Sequence, residues 1–527
     1  MAKSSGAQRE SEGVVVPRMG VQQNAPGGKG PCFGHARAKG TGAGMVRTAG
    51  PNHPDRIAPI DNVRRLQRKL FVAAKRHPGR RFHALFDRIC RTDILQEAWR
   101  RVRANRGAAG VDGITLAAVE EHGVDRLIED LQTALRAGTY RPLPARRRFI
   151  PKTTGGLRPL GIPAVRDRIA QMAAKLVLEP IFEADFRPSS FGYRPRRAAL
   201  HALEAIRVTA NTGSDHVLDG DISDFFGSLD HELLMKRLAV RISDRRVLRL
   251  VRHWLRAGVM DEGHFTETVS GVPQGGVISP LLANIYLHVL DLVWERRCAG
   301  IGVLVRYADD FVVLARSRGS IEEAERRTSI VLDRLKLRLH PDKTRKVVLT
   351  EGREGFEFLG HHLQKRVSGR LLERGIRRYY LQRWPAEQSM TRVRRRIHEL
   401  TDRRHDGAKD VRVLIAQLNP VLRGWGEYFR TGNAARKFLS LDRYVADRLR
   451  RFLVKRAGRS LRARRAEQWT QEWFWAHGLH RLRGTVRYPK PCMLHEKTIA
   501  KPDAGKPHVR FERGSVETGR FDAVPRH

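Results

Sequence analysis

Two short apolar runs, Val303-Leu304-Val305 and Phe311-Val312-Val313-Leu314, flank Arg306-Tyr307-Ala308-Asp309-Asp310, a pattern that predicts two strands joined by a tight turn. From about residue 80 to 365 such runs alternate irregularly with amphipathic stretches, which points to an α+β domain rather than a regular βα repeat. Asn62 is placed to cap a helix running to Pro78, with Val63, Leu66, Leu70, Ala73 and Ala74 on one face and Arg64, Arg65, Arg68, Lys69, Lys75 and Arg76 elsewhere. Ser279-Pro280 opens a second helix, Ser as cap and Pro in the first turn, with Leu281, Leu282, Ile285 and Val289 on one face. Ser320 and Glu323 read as the capping box of a third, with Ala324, Val331 and Leu335 inward.

Beyond about residue 366 the strand signal fades. Asn419-Pro420 starts a helix that Gly432 can end, and the next runs from about Ala434 to Lys455. Val421, Leu422, Trp425, Tyr428 and Phe429, then Phe438, Leu441, Val445, Leu449 and Phe452, recur at helical spacing and read as core rather than as a base-stacking platform. The expected organisation is a flexible basic tail over 1–58, too poor in large apolar residues to fold alone, and a basic helix over 59–80. An α+β domain over 81–365 follows, then a helical domain over 366–470 and a basic tail over 471–527, a candidate nucleic-acid-binding segment.

Charge narrows the function. The 527 residues hold 100 Lys and Arg against 56 Asp and Glu, net +44, which favours a polyanionic partner, nucleic acid first. Residues 361–470 alone carry 29 basic and 10 acidic residues. No apolar stretch approaches the roughly 18 residues of a membrane-spanning helix, and no secretory leader is evident, so no membrane partner and a cytoplasmic location are expected. The four cysteines, Cys32, Cys90, Cys298 and Cys492, are scattered and form no C-x-x-C pair, which argues against a disulfide framework or a cysteine-based zinc module.

Against this background the Asp309-Asp310 turn stands out. Aspartate is common in turns for structural reasons. Two adjacent carboxylates between apolar strands nevertheless repel and resist desolvation, and a bound divalent metal would offset that cost.

Several blocks occur in one order: Ile150-Pro151-Lys152 through Gly156-Leu157-Arg158-Pro159-Leu160-Gly161-Ile162-Pro163, Ser190-Phe191-Gly192-Tyr193-Arg194-Pro195, Asp221-Ile222-Ser223-Asp224-Phe225-Phe226, and Gly271-Val272-Pro273-Gln274-Gly275-Gly276. Tyr307-Ala308-Asp309-Asp310, Leu339-His340-Pro341-Asp342-Lys343-Thr344 and Phe356-Glu357-Phe358-Leu359-Gly360 complete the series. Together they resemble a group II intron reverse transcriptase, or intron-encoded maturase. The resemblance spans roughly residues 60 to 460 and includes Leu418-Asn419-Pro420-Val421-Leu422-Arg423-Gly424-Trp425, which looks like the family's maturase, or X, domain.

The resemblance implies a right-hand polymerase, with fingers and palm built on an antiparallel sheet and a helical thumb or maturase domain. It also implies RNA-directed DNA synthesis by a two-metal mechanism, with two Mg²⁺ ions bound by oxygen ligands. Asp221 follows His216-Val217-Leu218-Asp219-Gly220, a strand able to pair beside the Asp309-Asp310 hairpin. Asp221 and Asp309 would then bridge the metals, Asp310 would support metal or primer, and the Ile222 carbonyl could add a ligand. Asp219 and Asp224 compete by spacing, but for them a solvated or capping role is the favoured reading. Phe226 takes the family's place for a ring that excludes a ribose 2′-hydroxyl, with Phe225 as the alternative gate and core packing open to either. Lys152 and Arg158 would meet the triphosphate, Gln274 a nucleotide or template, and Lys343 the pyrophosphate.

Arg64, Arg65, Arg68 and Lys69 on the first basic helix, and Lys437, Arg448, Arg451 and Lys455 flanking the later stripe, are candidates for RNA phosphates. The expected partners are group II intron RNA, whose splicing the chain would assist, an RNA template with a DNA primer or target DNA, and deoxynucleoside triphosphates. The setting would be a bacterial, nucleoid-associated ribonucleoprotein. A metal-binding endonuclease module of the kind some members carry after the X domain is not recognisable past residue 470. Two other readings stand beside this one: a non-catalytic RNA-binding splicing cofactor, and a domesticated reverse transcriptase in host defence or repair.

Overall fold

The computed structural model describes residues 59–151, 156–402, 410–458 and 467–487. The expected tail over 1–58, Lys152, and the end of the chain from 488 lie outside the described residues. None of the helices in the described part is long and apolar enough to cross a membrane.

The centre is a four-stranded antiparallel sheet in the order β6-β7-β3-β8, built from β3 (His216–Gly220), β6 (Val303–Tyr307), β7 (Asp310–Ala315) and β8 (Arg345–Val348). Alternate residues serve opposite faces. Leu218, Leu304, Phe311 and Val313 join the large core that includes the Ser279–Val293 and Arg318–Arg334 helices, whereas Val217, Val305, Val312 and Leu314 pack with the Ala199–Asn211 helix. Gly220 sits where any Cβ would lie 2.2 Å from the Phe311 ring, so glycine lets that ring fill the core beneath β3.

A second sheet, order β2-β1-β4-β5, holds the hairpin of β1 (Ala145–Pro151) and β2 (Leu157–Ile162) beside β4 (Val259–Asp261) and β5 (His264–Thr266). Beyond the central sheet, β9 (Gly355–Phe358), β10 (His361–Val367) and β11 (Tyr379–Pro385) form a third. Strand structure therefore continues past residue 366, where it was expected to fade. Only Leu363 and Leu381 of the two later strands are large, apolar and buried among those facing inward; Lys365 and Arg383 fill other inward positions and mask the alternation. Lys365 pairs with Asp215, and Arg383 meets Glu204 at 3.2 Å.

The first helix runs Pro59–Arg76, four residues earlier than an Asn62 cap implies, and Val63, Leu66, Leu70 and Ala74 bury its predicted face against the Val165–Glu183 helix. Two other caps also moved. Ser279 is the first residue of its helix and its hydroxyl donates to Pro273 O at 3.0 Å. Ser317, not Ser320, caps the Arg318–Arg334 helix, and Glu323 instead pairs with Arg326 and Arg327.

The C-terminal helices Glu387–Leu400, Val411–Phe429 and Ala435–Ala457 share one core in which Met390, Leu414, Leu418, Leu422, Phe438, Leu441 and Leu449 are buried. Both predicted stripes lie in this core. The middle helix begins at Asp410, whose carboxylate caps it, and carries Pro420 in its interior; Asn419 is no cap, since its amide binds Gly478 O and His480 N. Residues after 470, expected as tail, belong to the same unit: the Gln471–Ala476 helix buries Phe474, and Leu479 and Leu482 follow it into the core. Arg383 ties this unit to the rest, because its guanidinium also donates to Thr431 O at 3.0 Å and its carbonyl accepts from Asn433 N at 2.8 Å.

Candidate active site

The β6–β7 hairpin turns through Ala308 and Asp309, with Tyr307 paired to Asp310 as the last rung. Ala308 takes a left-handed φ of 61°. Next to it, β3 pairs with β7 as far as Gly220–Phe311, so the register sets Asp221 across from Asp310 in the following step. The chain then bends to pair Ile222 with Leu339: His340 N donates to Asp221 O at 2.8 Å and Ser223 N to Arg338 O at 2.9 Å. Since Asp221 and Ser223 spend their backbone groups on that side, strand alternation turns the Ile222 carbonyl the other way, toward the hairpin.

The carboxylates feel one another. Burial, with the Asp221 charge beside it, holds the Asp309 carboxyl above the ordinary range. Desolvation and the charges of Asp309 and Asp221 push Asp310 up to about 7, although its side chain keeps an exposed face through which solvent screens the effect. Asp219 also belongs to this group: burial first, then Asp310, push it up to about 7. Its half-buried place on β3 opposite Val312 corrects the expectation of a solvated or capping residue. Asp224, exposed and left-handed at φ 36°, leans on Gly227 at the start of the Phe225–Ser228 turn of helix, a local role.

Cations surround the acids. Lys343 Nζ contacts Asp221 Oδ2 at 2.8 Å, and exposed Arg158 lowers both hairpin carboxyls through its charge. The acidic donors are hard oxygens suited to Mg²⁺, and the ammonium against Asp221 marks a position where a cation is stabilised. Among the described residues, no three His, Cys, Asp or Glu side chains converge as a ready ligand set. Phe225 is a buried core ring at 2% exposure, whereas Phe226 is only partly buried, 5.2 Å from it and edge-on. The Gly271–Gly276 loop reaches both neighbours: Val272 N donates to Phe226 O at 2.8 Å, and Gly161 N of β2 donates to Gln274 O at 2.7 Å. Gly275, at φ 115°, passes so close to Gly161 O that a Cβ would stand 2.8 Å from it.

Two features escaped the sequence reading. Tyr193, left-handed at φ 57°, lies beside the acids: desolvation and then the charge of Asp309 push its hydroxyl up to about 12, and its ring is 6.4 Å from that of Tyr307. Arg306 is wholly buried, and its guanidinium donates to Asp291 at 2.9 and 2.5 Å, to Asn284 Oδ1 at 3.1 Å, to Ser190 Oγ at 2.8 Å and to Ala308 O at 2.8 Å. The available signal was two opposite charges, Arg306 and Asp291, each inside an apolar run, where a charge is rarely buried unless paired.

The basic candidates divide. Arg64, Arg65, Arg68 and Lys69 are exposed. On the other helix Arg451 and Lys455 are exposed, but Lys437 pairs with Glu387 at 2.8 Å and Arg448 spends its guanidinium on Thr401. Arg448 is thus a strut between two helices rather than a free phosphate ligand, because its position on the stripe's flank faces the end of the Glu387–Leu400 helix.

Comparison with known proteins identifies the family. Residues 150–363 match the family "Reverse transcriptase (RNA-dependent DNA polymerase)", and residues 390–473 match "Group II intron, maturase-specific domain". Protein YkfC of Escherichia coli is 37% identical over 58% of this chain and 89% of its own length. The group II intron-encoded protein LtrA of Lactococcus lactis is 29% identical over 56% of this chain, which spans only 59% of LtrA. An uncharacterised 91 kDa protein in a cob intron of Schizosaccharomyces pombe is 35% identical over 39% of this chain and 25% of that protein. With both family domains in order and this degree of likeness, the chain belongs to the group II intron reverse transcriptase and maturase family.

Proposed function

We propose that the chain is an RNA-directed DNA polymerase that works in a ribonucleoprotein with its own intron RNA, assisting its splicing and copying it into DNA. In this reading the β1–β2 sheet and N-terminal helices are fingers, the central sheet is the palm, and the helices from Glu387 to about residue 487 are the thumb and maturase domain. The observation that carries it is the crowding of Asp221, Asp309 and Asp310 at one end of the central sheet, where burial first and then neighbouring acidic charge raise each carboxyl of the hairpin. Two Mg²⁺ ions held by these residues and the Ile222 carbonyl would supply Lewis acidity for the entering and leaving oxygens.

The chain's own groups do the rest. Lys152 and Arg158 hold the triphosphate, Arg by its fork and Lys as a point charge. Lys343 exchanges Asp221 for the pyrophosphate end of the nucleotide. Gln274, on the loop that touches Phe226 and β2, faces nucleotide or template. Extension of a DNA primer on an RNA template by the purified chain tests the reading. Tight intron RNA binding with no extension under any divalent metal would leave the non-catalytic splicing cofactor instead.

Phe226 is the sugar gate in this scheme, since Phe225 is spent on the core. Phe226→Ala should raise ribonucleotide incorporation by about 10–100-fold relative to deoxynucleotides, read as the ratio of kcat/KM values, the range a steric contact of this size allows. Phe225→Ala should instead destabilise the fold by about 3–5 kcal/mol. Equal discrimination in Phe226→Ala would remove the ring from the nucleotide site.

Arg451 and Lys455 are the phosphate contacts to neutralise together. Converting both to Gln should weaken intron RNA binding and lower the log–log salt slope by about 1.4–1.8, at about 0.7–0.9 per contact. Arg448→Gln should lower thermal stability with the slope unchanged. A slope unaltered by the first pair would place the RNA on another face.

A further inference from the structure

Arg306 occupies a position of its own in β6. Its five donors all find acceptors, and these come from the helix Ser279–Val293 (Asp291 and Asn284), from Ser190, and from the carbonyl of Ala308 in the turn that bears Asp309. Its backbone is also engaged: Arg306 N donates to Ser189 O and Arg306 O accepts from Phe191 N, both at 2.8 Å. Asn284 Nδ2 completes the frame by donating to Gly192 O at 2.8 Å, directly over the turn.

Stability alone does not call for this arrangement. A buried ion pair is commonly replaceable by apolar residues of like volume with no loss of stability, because desolvating two charges offsets their attraction. The features an apolar pair could not reproduce are the hydrogen bonds to Asn284 Oδ1, Ser190 Oγ and Ala308 O, and the last of these reaches the turn itself. That carbonyl belongs to an alanine at φ 61°, a conformation L residues rarely adopt and that persists only where the surroundings enforce it. The next residue is Asp309, whose carboxylate must be placed to within a fraction of an ångström for catalysis.

We propose that Arg306 is a positioning residue for the reaction: Asp291 and Asn284 fix the orientation of its guanidinium, and the guanidinium sets the Ala308-Asp309 turn and hence the Asp309 carboxylate. The proposal rests on the polymerase reading above. It extends the active site to a buried layer beneath the hairpin.

Two variants test it, Arg306→Lys and the apolar double substitution Arg306→Met with Asp291→Leu, each assayed as the full chain. Four quantities are read: melting temperature, intron RNA binding, Mn²⁺ binding by electron paramagnetic resonance in the absence of substrate, and single-turnover primer extension with varied Mg²⁺ and varied deoxynucleotide. The double variant should fold, melting below the parent because Asn284 Oδ1, Ser190 Oγ and Ala308 O lose their donor, and should bind intron RNA normally, yet extend primers on the order of 100-fold more slowly with weaker Mn²⁺ binding. Arg306→Lys keeps the charge toward Asp291 but lacks the fork, and should lose on the order of 10-fold in rate with KM for deoxynucleotide little changed. Parental rate and Mn²⁺ affinity in a folded double variant would overturn the proposal, as would an Arg306→Lys chain that fails to fold, since the pair would then be a structural prop. Asp309→Ala run alongside separates the two layers: if that variant extends normally, the polymerase reading itself fails; if it is inactive while the Arg306 variants behave as the parent, only the positioning role fails.

Discussion

Asp309→Ala should reduce primer extension on an RNA template by at least on the order of 10³-fold, the scale on which losing one electrostatic contact to the transition state is felt. Intron RNA binding should be untouched, because the exposed cations assigned to that contact lie on other elements. The sign of the stability change makes the test sharper. In the metal-free protein Asp309 is one of several carboxyls whose protons are held more tightly than in the unfolded chain, so near neutral pH its ionised form costs stability. Removing it should leave the melting temperature equal or higher without Mg²⁺, while abolishing the rise that Mg²⁺ gives the parent through preferential binding to the folded state. Normal extension by the variant, or a melting temperature lowered in the absence of metal, would show that Asp309 is a structural turn residue.

Gly192→Ala should be nearly as damaging by a different route. A Cβ at residue 192 would lie 2.4 Å from Ala308 N and 2.9 Å from Tyr307 C, and both are backbone atoms that cannot swing aside. The Ala308-Asp309 turn must therefore shift, or the Gly192 carbonyl must leave Asn284. Overpacking of this kind costs about 1–3 kcal/mol in stability, a loss the chain should survive, whereas a displacement near 1 Å at the acids costs on the order of 10²-fold in rate. Denaturant melts and single-turnover extension on one preparation separate the two effects. A stable variant with parental activity would mean that the Ser190–Arg194 segment does not brace the turn.

The hairpin, the strand before Asp221, the inward face of the first helix and both stripes of the C-terminal helices were legible because each alternates or repeats with its own period and buries its apolar side. The same logic misplaced boundaries wherever two polar residues were each able to cap. Ser317 and Asp410 won over Ser320 and Asn419 through local geometry that spacing does not encode, and Asn419 found a partner in a segment about sixty residues away. β10 and β11 hid because Lys365 and Arg383 occupy inward positions and are satisfied by Asp215 and Glu204, far away along the chain. Asp219 looked like an ordinary strand-end acid; its burial on β3, and then the charge of Asp310 on the neighbouring strand, give it its raised affinity for a proton. Phe226 and Phe225 were indistinguishable as letters and are separated by burial alone.

Arg383 has a mechanical meaning as well. Its head meets Glu204 under the central sheet and Thr431 at the end of a C-terminal helix, in a place where both charged side chains are at most 4% exposed. Prising the helical unit away at that point would cost the guanidinium its bond to Thr431 O and the Arg383 carbonyl its bond from Asn433 N, while the pair with Glu204 stays behind on the sheet side. Sliding the last helices past the third sheet would therefore have to break a main-chain and a side-chain contact of the same arginine at once, so the junction resists shear as well as separation.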